Sequence, residues 1–163
     1  MRVIAVVLAA GSSSRLGRPK QDIVFEGETL LARATRIACE VADDVIVVTR
    51  ENNPDADEGI ASSIRFGVRA AGEARVLIVL CDQPLINAEH LRALIAVDAP
   101  IVATGYRGIA GVPAIFAPEL IPELLALRGD RGARAVIANH AAHVIPFEDA
   151  AVDIDTEADL QNL

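Results

Sequence analysis

The sequence contains no tryptophan, one tyrosine and four phenylalanines among its 163 residues. Proteins that bind single-stranded nucleic acid stack successive bases on aromatic side chains, and this chain offers little such surface. Positive charge is also scarce, because 15 lysines and arginines stand against 23 acidic residues, for a formal net charge of −8. Affinity for nucleic-acid polymers depends on neutralising many phosphates, so we predict no nucleic-acid polymer as a partner.

Long apolar runs and a disulfide framework are lacking too. No apolar run approaches the roughly 20 residues that cross a bilayer, and the sequence opens directly into a strand-like segment. We therefore predict no membrane association and a cytoplasmic location. Cys39 and Cys81 lie in apolar surroundings without metal-ligand spacing, so we expect reduced, buried side chains. With 52% hydrophobic residues, the chain is expected to form a single domain, residues 1–163, with a sizeable core.

Apolar segments of strand length alternate with segments of helical periodicity. The strand-like segments are residues 2–8, 44–49, 75–80, 100–104 and 143–147. Between the first two, apolar residues recur at helical spacing from Leu30 to Val41. Thr29, Asn87 and Thr156 stand where caps of helices are expected. Apolar strands that alternate with helices are typical of parallel sheets covered on both faces. The pattern predicts a three-layer, Rossmann-like α/β fold with a mostly parallel sheet.

The segment after the first strand is rich in small residues and then in cations, L-A-A-G-S-S-S-R-L-G-R-P-K-Q over residues 8–21. Gly11 and the serines keep bulk away, so backbone N–H groups can point at anionic oxygens. Countercharge comes from Arg15, Arg18 and Lys20, an arrangement suited to a triphosphate. Pro19 predicts extended backbone around Lys20. The spacing matches neither the dinucleotide fingerprint nor the P-loop. An ordinary strand-to-helix loop with solvated basic residues is the alternative.

A carboxylate also follows the apolar strand of residues 75–80. It is Asp82, separated from the strand only by Cys81. Ligands of open α/β sheets lie beyond the carboxyl ends of the strands, so Asp82 is expected at the triphosphate, where a carboxylate can hold Mg²⁺. The alternative is that Asp82 caps the turn before Pro84. Late in the chain, alternation puts Asp153 and Asp155 on one side of an extended segment. One of them can join Asp82 at the metal, and we prefer Asp153.

The remaining residues of interest are given mostly structural interpretations. Residues 50–58 are expected to form a solvated loop without chemistry. Ser62 and Ser63 are interpreted either as helix caps or as contacts to a base or ribose. Gly67, within the same helix, is expected to permit close packing. The three histidines, His90, His140 and His143, are interpreted as surface or packing residues.

Several blocks of the chain resemble the MobA-like NTP transferase family, typified by the molybdenum-cofactor guanylyl- and cytidylyltransferases. The loop after the first strand resembles the signature L-A-A-G-x-x-x-R-[ML]-G-x-x-K. The further blocks are G-I-A-S-S-I-R-F-G at 59–67, C-D-Q-P-L at 81–85, G-V-P-A-I-F at 111–116, G-D-R-G-A-R at 129–134 and D-I-D-T-E-A-D-L at 153–160. The resemblance covers nearly all of the chain. Family members usually carry a further helix and short strand before the 59–67 block, so we expect a smaller sheet at that edge.

The resemblance implies roles for individual residues. The nucleotide is expected to contact Leu8, Ala9, Ala10, Gly11, Ser12, Ser13, Arg15, Lys20, Ser62 and Ser63. Catalysis falls to Arg15, Lys20 and Asp82, and the metal to Asp82 and Asp153. The acceptor is expected to contact Gly111, Pro113, Asp130 and Arg134, with Tyr106 and Arg107 as further candidates. For these acceptor segments, an exposed hairpin-like tip and a solvated loop are the alternatives. Gly111 and Pro113 are expected to shape the entry from a loop into a strand.

We predict an Mg²⁺-dependent nucleotidyltransferase that joins an NMP unit from an NTP to a phosphorylated acceptor and releases pyrophosphate. L-A-A-G is similar to the cytidylyl branch of the family, so CTP is favoured, with the molybdopterin cofactor as acceptor. P-K-Q is similar to the methylerythritol-phosphate cytidylyltransferases, whose chains are longer. The alternatives are transfer from GTP, a different phosphorylated acceptor, or a non-catalytic nucleotide-binding accessory protein that matures a molybdenum hydroxylase. That last function implies a molybdenum enzyme as partner.

Overall fold

The computed structural model describes residues 1–11 and 19–163, apart from the side chain of Glu157. Its strands are β1 (Val3–Ala9), β2 (Val24–Phe25), β3 (Glu28–Thr29), β4 (Asp44–Thr49), β5 (Arg75–Leu80), β6 (Ile101–Tyr106), β7 (Ile109–Phe116) and β8 (His143–Pro146). Its helices are α1 (Leu30–Val41), α2 (Ile60–Ala71), α3 (Ala88–Ala96), α4 (Ile121–Leu125), α5 (Arg134–Ala138) and α6 (Glu157–Gln161). Short 3₁₀ helices cover Lys20–Asp22, Ala56–Glu58, Pro118–Leu120 and Glu148–Ala151.

Six strands form one mixed sheet in the order β4-β1-β5-β7-β6-β8, while β2 and β3 form a separate hairpin. β1 pairs in parallel with β4 and β5, and β6 pairs in parallel with β8. β7 is antiparallel to both of its neighbours, β5 and β6. The predicted α/β fold with a mostly parallel sheet is confirmed.

The central strand β1 is buried along its whole length because both of its faces are covered. Val6 and Leu8 belong to an apolar cluster that includes residues of α2, α4 and α5. Ala5 and Val7 point to the opposite face, where α1 and α3 supply the apolar partners. This alternation, which the pleat of a strand imposes, gives three layers with the sheet in the middle.

The order of the strands creates a crevice beside β1. The chain leaves β1 through α1 to reach β4 on one side, then passes through α2 to reach β5 on the other side. Because α1 and α2 cover opposite faces, the loops after β1 and β5 separate at the carboxyl end of the sheet. Open α/β sheets bind their ligands at such a reversal of strand order.

The helix starts are set by the side chains that the sequence indicates. Thr29 Oγ1 accepts a hydrogen bond from the Ala32 N–H at 3.0 Å, and Asn87 Oδ1 accepts from the His90 N–H at 2.8 Å. Thr156 forms a capping box with Asp159 at the start of α6. Each arrangement satisfies an N–H group that the first helical turn leaves unpaired.

One of two alternatives for a pair of serines is excluded, and one local prediction about backbone is wrong. Ser62 and Ser63 do not cap α2, because Gly59 occupies that position with φ of 129°. Lys20 begins a 3₁₀ helix instead of lying in extended chain, although Pro19 directly before it is extended, with ψ of 122°.

The segment with Gly111 and Pro113 also differs from its prediction. Both residues lie inside β7, instead of shaping a loop that enters a strand. Thr104 pairs with Gly111 and Ala103 with Ala114, so Val112 and Pro113 form a bulge. A bulge bends its strand locally, and this one lies beside the end of β5.

Of the remaining local predictions, some are confirmed and some are wrong. Cys81 is buried as expected, but Cys39 is exposed on α1, because its position faces away from the sheet. Gly67 packs closely, since a Cβ there would lie 2.3 Å from Val6 Cγ1. His90 is buried and stacks on the ring of Phe147, whereas the other two histidines are exposed. Across the described residues, no helix combines the length and apolar character needed to span a bilayer.

Candidate functional site

A cavity of about 350 Å³ opens where β1 and β5 end. Six of the predicted nucleotide-binding residues line it, namely Leu8, Ala9, Ala10, Gly11, Lys20 and Ser63, together with Asp82. Ser62, next to Ser63 in α2, is buried but does not line the cavity. The other three, Ser12, Ser13 and Arg15, lie outside the described residues.

Lys20 brings two carboxylates together at one end of this cavity. Its Nζ lies 3.0 Å from Asp155 Oδ1 and 3.5 Å from Asp82 Oδ2. All three side chains are largely shielded, with exposed fractions of 18% for Lys20, 24% for Asp82 and 36% for Asp155. Asp82 and Asp155 lie 62 and 135 positions from Lys20 in the sequence, and the fold brings both to it at the crevice between β1 and β5.

The surroundings shift the pKa values of this group. Burial raises the pKa of Asp82, the Lys20 ammonium opposes that rise, and the charge of Asp153 adds to it. Burial alone would lower the pKa of Lys20, but the hydrogen bond to Asp155 and the charge of Asp82 outweigh it, so the pKa is raised. The lysine is therefore a fixed positive charge in the cavity.

The closing segment of the chain, residues 153–160, is hydrogen-bonded directly to the end of β5. The Ile154 N–H donates to the Asp82 carbonyl oxygen at 3.0 Å, and the Ile154 side chain is fully buried against Ile23 and Leu30. With Ile154 turned inward, Asp153 and Asp155 project on the other side, as alternation predicts. Asp155 contacts Lys20, and Asp153 is close enough to raise the pKa of Asp82.

The carboxylates fit a hard divalent cation. Asp82 Oδ1 is buried and has no hydrogen-bond partner within residues 1–11 and 19–163. In that same part of the chain, no group of three or more His, Cys, Asp or Glu side chains is arranged to hold a metal. Mg²⁺ in nucleotide sites is held by one or two carboxylates together with phosphate oxygens, so a pair of aspartates is sufficient.

A second cavity, of about 930 Å³, adjoins the first and shares Leu8, Ile60, Leu80 and Asp130 with it. Its lining is mostly apolar, and Tyr106 and Arg134 add polar groups. Of the predicted acceptor residues, Asp130 and Arg134 lie here, both exposed. Arg134 opens the short helix α5, as the sequence predicts.

Gly111 and Pro113 are buried in β7 and do not line this cavity, although Val112 between them does. A Cβ on Gly111 would lie 2.9 Å from the Tyr106 hydroxyl, so the glycine makes room for that ring. Burial raises the pKa of Tyr106. Arg107 lies at the tip of the β6–β7 hairpin, where it and Gly108 both have positive φ, as in the favoured two-residue turns. Arg107 does not reach the cavity.

The loop of residues 50–58, which the sequence indicated to be solvated and without a role, contributes to the nucleotide cavity. Arg50 and Asp57 line it and pair with each other, and Arg50 Nη1 donates to the Ala10 carbonyl oxygen at 3.2 Å. Asn53 is 2% exposed and contacts both serines of α2. The sequence carried one signal, two asparagines after a strand end, but asparagine is common in any turn.

An ion pair fastens this loop to the segment that carries Asp130. Arg65, in α2, donates to both carboxylate oxygens of Glu58, at 2.9 and 2.6 Å, and to the Leu127 carbonyl oxygen at 2.8 Å. Glu58 Oε2 also accepts from the Gly129 N–H at 3.0 Å. The wall shared by the two cavities is therefore held by charge-assisted hydrogen bonds.

Gln83 links the remaining parts of the site. Its Nε2 donates to the Val112 carbonyl oxygen at 3.1 Å and to the Ala150 carbonyl oxygen at 3.0 Å. One contact is to the bulge of β7 and the other to the 3₁₀ helix that precedes Asp153. The residue directly after Asp82 thus joins the acceptor side of the site to the closing segment.

Comparisons with known proteins agree on one family. The model of the MobA-like NTP transferase domain matches residues 5–144. The purine catabolism protein PucB of Bacillus subtilis (strain 168) is 30% identical over 94% of this chain and 92% of its own. A probable molybdenum cofactor guanylyltransferase of Synechococcus elongatus is 28% identical over 100% of this chain and 98% of its own.

Solved structures share the fold of this chain. The crystal structure of Rv0371c from Mycobacterium tuberculosis H37Rv superposes with a TM-score of 0.86 at 26% identity, covering 99% of this chain and 97% of that one. A structure of Rv0371c in complex with manganese superposes with a TM-score of 0.79 at 24% identity, covering 100% and 98% of the two chains.

Proposed function

Because the chain belongs to the MobA-like NTP transferase family, we propose that it transfers a nucleoside monophosphate from an NTP to a phosphorylated acceptor. The observation that carries this proposal is the meeting of Lys20, Asp82 and Asp155 at the carboxyl ends of β1 and β5. A fixed ammonium beside shielded carboxylates, in the cavity that Gly11 also lines, suits a triphosphate with a divalent cation.

In the proposed reaction, an oxygen of the acceptor phosphate attacks the α-phosphorus of the NTP. The new P–O bond forms as the bond between the α-phosphorus and the bridging oxygen of the β-phosphate breaks, and pyrophosphate leaves with that electron pair. The chain need not supply a nucleophile, since positioning and charge neutralisation account for most catalysis of phosphoryl chemistry. Lys20 would stabilise negative charge on the phosphates, with Arg15 in the same role.

Asp82 and one of Asp153 or Asp155 would hold the divalent cation. We propose Mg²⁺, and the manganese complex of Rv0371c supports a divalent ion at a related fold. Such an ion, when bound, would neutralise phosphate oxygens and orient the α-phosphate. The buried, unpartnered Asp82 Oδ1 supports Asp82 as the principal ligand. Asp153 remains our preferred second ligand, while Asp155 is the carboxylate nearest to Lys20.

CTP is the favoured donor, because L-A-A-G at residues 8–11 is similar to the cytidylyl branch. GTP is the second candidate, supported by the guanylyltransferase name of the Synechococcus elongatus relative. For the acceptor we propose the molybdopterin cofactor. The large, mostly apolar second cavity, with Arg134 to bind a phosphate, supports an acceptor with a ring system and a phosphate.

Pyrophosphate release with each of the four NTPs tests the proposal, with the molybdopterin cofactor as acceptor and Mg²⁺ present. We expect release with CTP above that with the other three. Lys20→Ala should lower the rate and weaken CTP binding, whereas Arg92→Ala, an exposed cation on α3, should change neither. Binding of CTP without any pyrophosphate release would instead favour an accessory protein for a molybdenum hydroxylase. Failure to bind any NTP would refute the proposal.

A further inference from the structure

The amide of Asn53 is held in one orientation. Its Oδ1 accepts a hydrogen bond from the Asp55 N–H at 3.1 Å, which identifies the other end of the amide as the NH₂ group. That Nδ2 lies 3.0 Å from Ser62 Oγ and 3.0 Å from Ser63 Oγ. An NH₂ group has two hydrogens and no acceptor, so both hydrogens are donated and each serine oxygen is an acceptor.

Each serine then keeps its own proton to donate elsewhere. Ser62 Oγ donates to the Gly59 carbonyl oxygen at 3.0 Å, which uses its proton inside the helix turn. Ser63 is 4% exposed and lines the nucleotide cavity. Within the part of the chain that the structure describes, the only hydrogen bond of Ser63 Oγ is the one it accepts from Asn53. Ser63 therefore presents a hydrogen-bond donor to the cavity.

The sequence already indicates Ser63 as a contact to a base or ribose, and we propose that Asn53 is the positioning residue that makes it a hydrogen-bond donor to an acceptor oxygen of the nucleoside. Such an acceptor is a base carbonyl or a ribose oxygen. The inference rests on the proposed function, since it assumes an NTP in this cavity.

The nucleoside is the part assigned to Ser63 because of where its helix lies. α2 packs on the face of the sheet that carries Val6 and Leu8. The 3₁₀ helix with Lys20 packs against α1 on the opposite face. Lys20 and Asp82 occupy the side suited to phosphates, so a neutral donor on the other side is suited to uncharged oxygens of the nucleoside.

Asn53→Asp tests the proposal without changing the shape of the side chain. A carboxylate only accepts, so it would take the protons of both serines while still accepting from the Asp55 N–H. Three donors also keep a buried carboxylate ionised. Ser63 would then have no proton for the ligand. By isothermal titration we expect CTP affinity to fall about 5- to 10-fold, the effect of one net hydrogen bond.

Two controls separate this effect from added charge and from phosphate binding. Asn52→Asp adds the same charge at the neighbouring, exposed asparagine, which does not contact the serines, and should leave CTP affinity within about twofold. Inorganic tripolyphosphate, which lacks a nucleoside, should bind to Asn53→Asp and Asn52→Asp equally well. A weakening confined to tripolyphosphate would overturn the proposal.

Serine variants decide the question even if Asn53→Asp does not fold. Ser63→Ala should weaken CTP binding about as much as Asn53→Asp does, and the double variant should show no further loss. Ser62→Ala should weaken CTP binding less than Ser63→Ala does, because the Ser62 proton is already used on Gly59. Wild-type affinity in Ser63→Ala, or equal losses in both serine variants, would overturn the proposal. A wild-type protein that binds no NTP would instead refute the proposed function itself.

Discussion

At the scale of single residues, the pair of Glu58 and Arg65 shows how a surface carboxylate can organise backbone. Arg65 is almost fully shielded, with 10% of its side chain exposed, and Glu58 is 35% exposed. Paired hydrogen bonds between them are stronger than a simple ion contact, because both donor and acceptor are charged. Glu58 also accepts from Gly129, so one carboxylate links the loop before α2 to the loop before α5.

This pair should make stability depend on pH in the acid range. The hydrogen bonds from Arg65, and then from the Gly129 N–H, lower the pKa of Glu58 to about 2. Since the unfolded value is about 4.3, the contribution is fully present above that pH and is lost as the pH falls through about 2. We expect Glu58→Gln to lower the urea midpoint at pH 7, and expect the difference from wild type to shrink steadily below pH 4.3, to near zero at about pH 2.

Urea unfolding of wild type and Glu58→Gln at pH 7 and at several values down to about pH 2 measures this effect. Glu51→Gln, an exposed glutamate of the same loop, serves as the control and should differ from wild type by a constant amount. A difference between Glu58→Gln and wild type that stays constant over the whole range would contradict the assignment.

The same scale shows what sequence reasoning can and cannot find. Asp82 was predictable because an acid directly after an apolar strand has one main location in an α/β sheet. Asn53 and Arg65 were not predictable, since their burial comes from contacts that the tertiary fold creates, with Ser62, Ser63 and Leu127. A polar residue in a loop of mixed composition carries no local sign of such a partner.

At the scale of elements, periodicity and caps identified most strands and helices. The direction of β7 was not apparent, because an apolar run is equally consistent with parallel or antiparallel pairing. Its direction follows from the Arg107 and Gly108 turn, which joins β6 and β7 too tightly for a parallel crossover. The bulge at Val112 and Pro113 was likewise hidden, since a bulge depends on how a strand is paired.

The closing segment gives a prediction at this scale. Ile154 is fully buried and fastens Asp153 and Asp155 beside Asp82. Ile154→Ala should reduce the free energy of unfolding by about 2 to 5 kcal/mol, through lost burial and the cavity left behind. It should also raise the Mg²⁺ concentration needed for half-maximal pyrophosphate release, because the aspartates would be held less firmly.

Leu94→Ala is the matched control, since Leu94 is also fully buried but packs in α3, away from the nucleotide cavity. Both variants should lose comparable stability by urea unfolding, while only Ile154→Ala changes the Mg²⁺ requirement. If the two variants show the same Mg²⁺ requirement, the packing of Ile154 does not position a metal ligand.

At the scale of the whole molecule, the nucleotide cavity is assembled from both faces of the sheet. The end of β1 forms its floor, the 3₁₀ helix with Lys20 reaches it beside α1, and α2 with Ser63 closes it from the other face. The closing segment adds carboxylates from a position 135 residues beyond Lys20. A ligand that binds all of these parts binds only the folded chain, so it should stabilise the molecule as a unit.

The last prediction uses this linkage to test the metal. Saturating CTP with Mg²⁺, at about 100 times its dissociation constant, adds about 2.7 kcal/mol, which corresponds to roughly 5 to 10 °C in Tm for a chain of this size. Asp82→Asn keeps the size of the side chain but removes the charge that holds a divalent cation. We expect it to retain the Tm increase given by CTP in EDTA and to lose the additional increase that Mg²⁺ gives to wild type.

Asp98→Asn, the same change at an exposed site between α3 and β6, should retain both increases. An undiminished Mg²⁺-dependent increase in Asp82→Asn would show that Asp82 does not hold the metal.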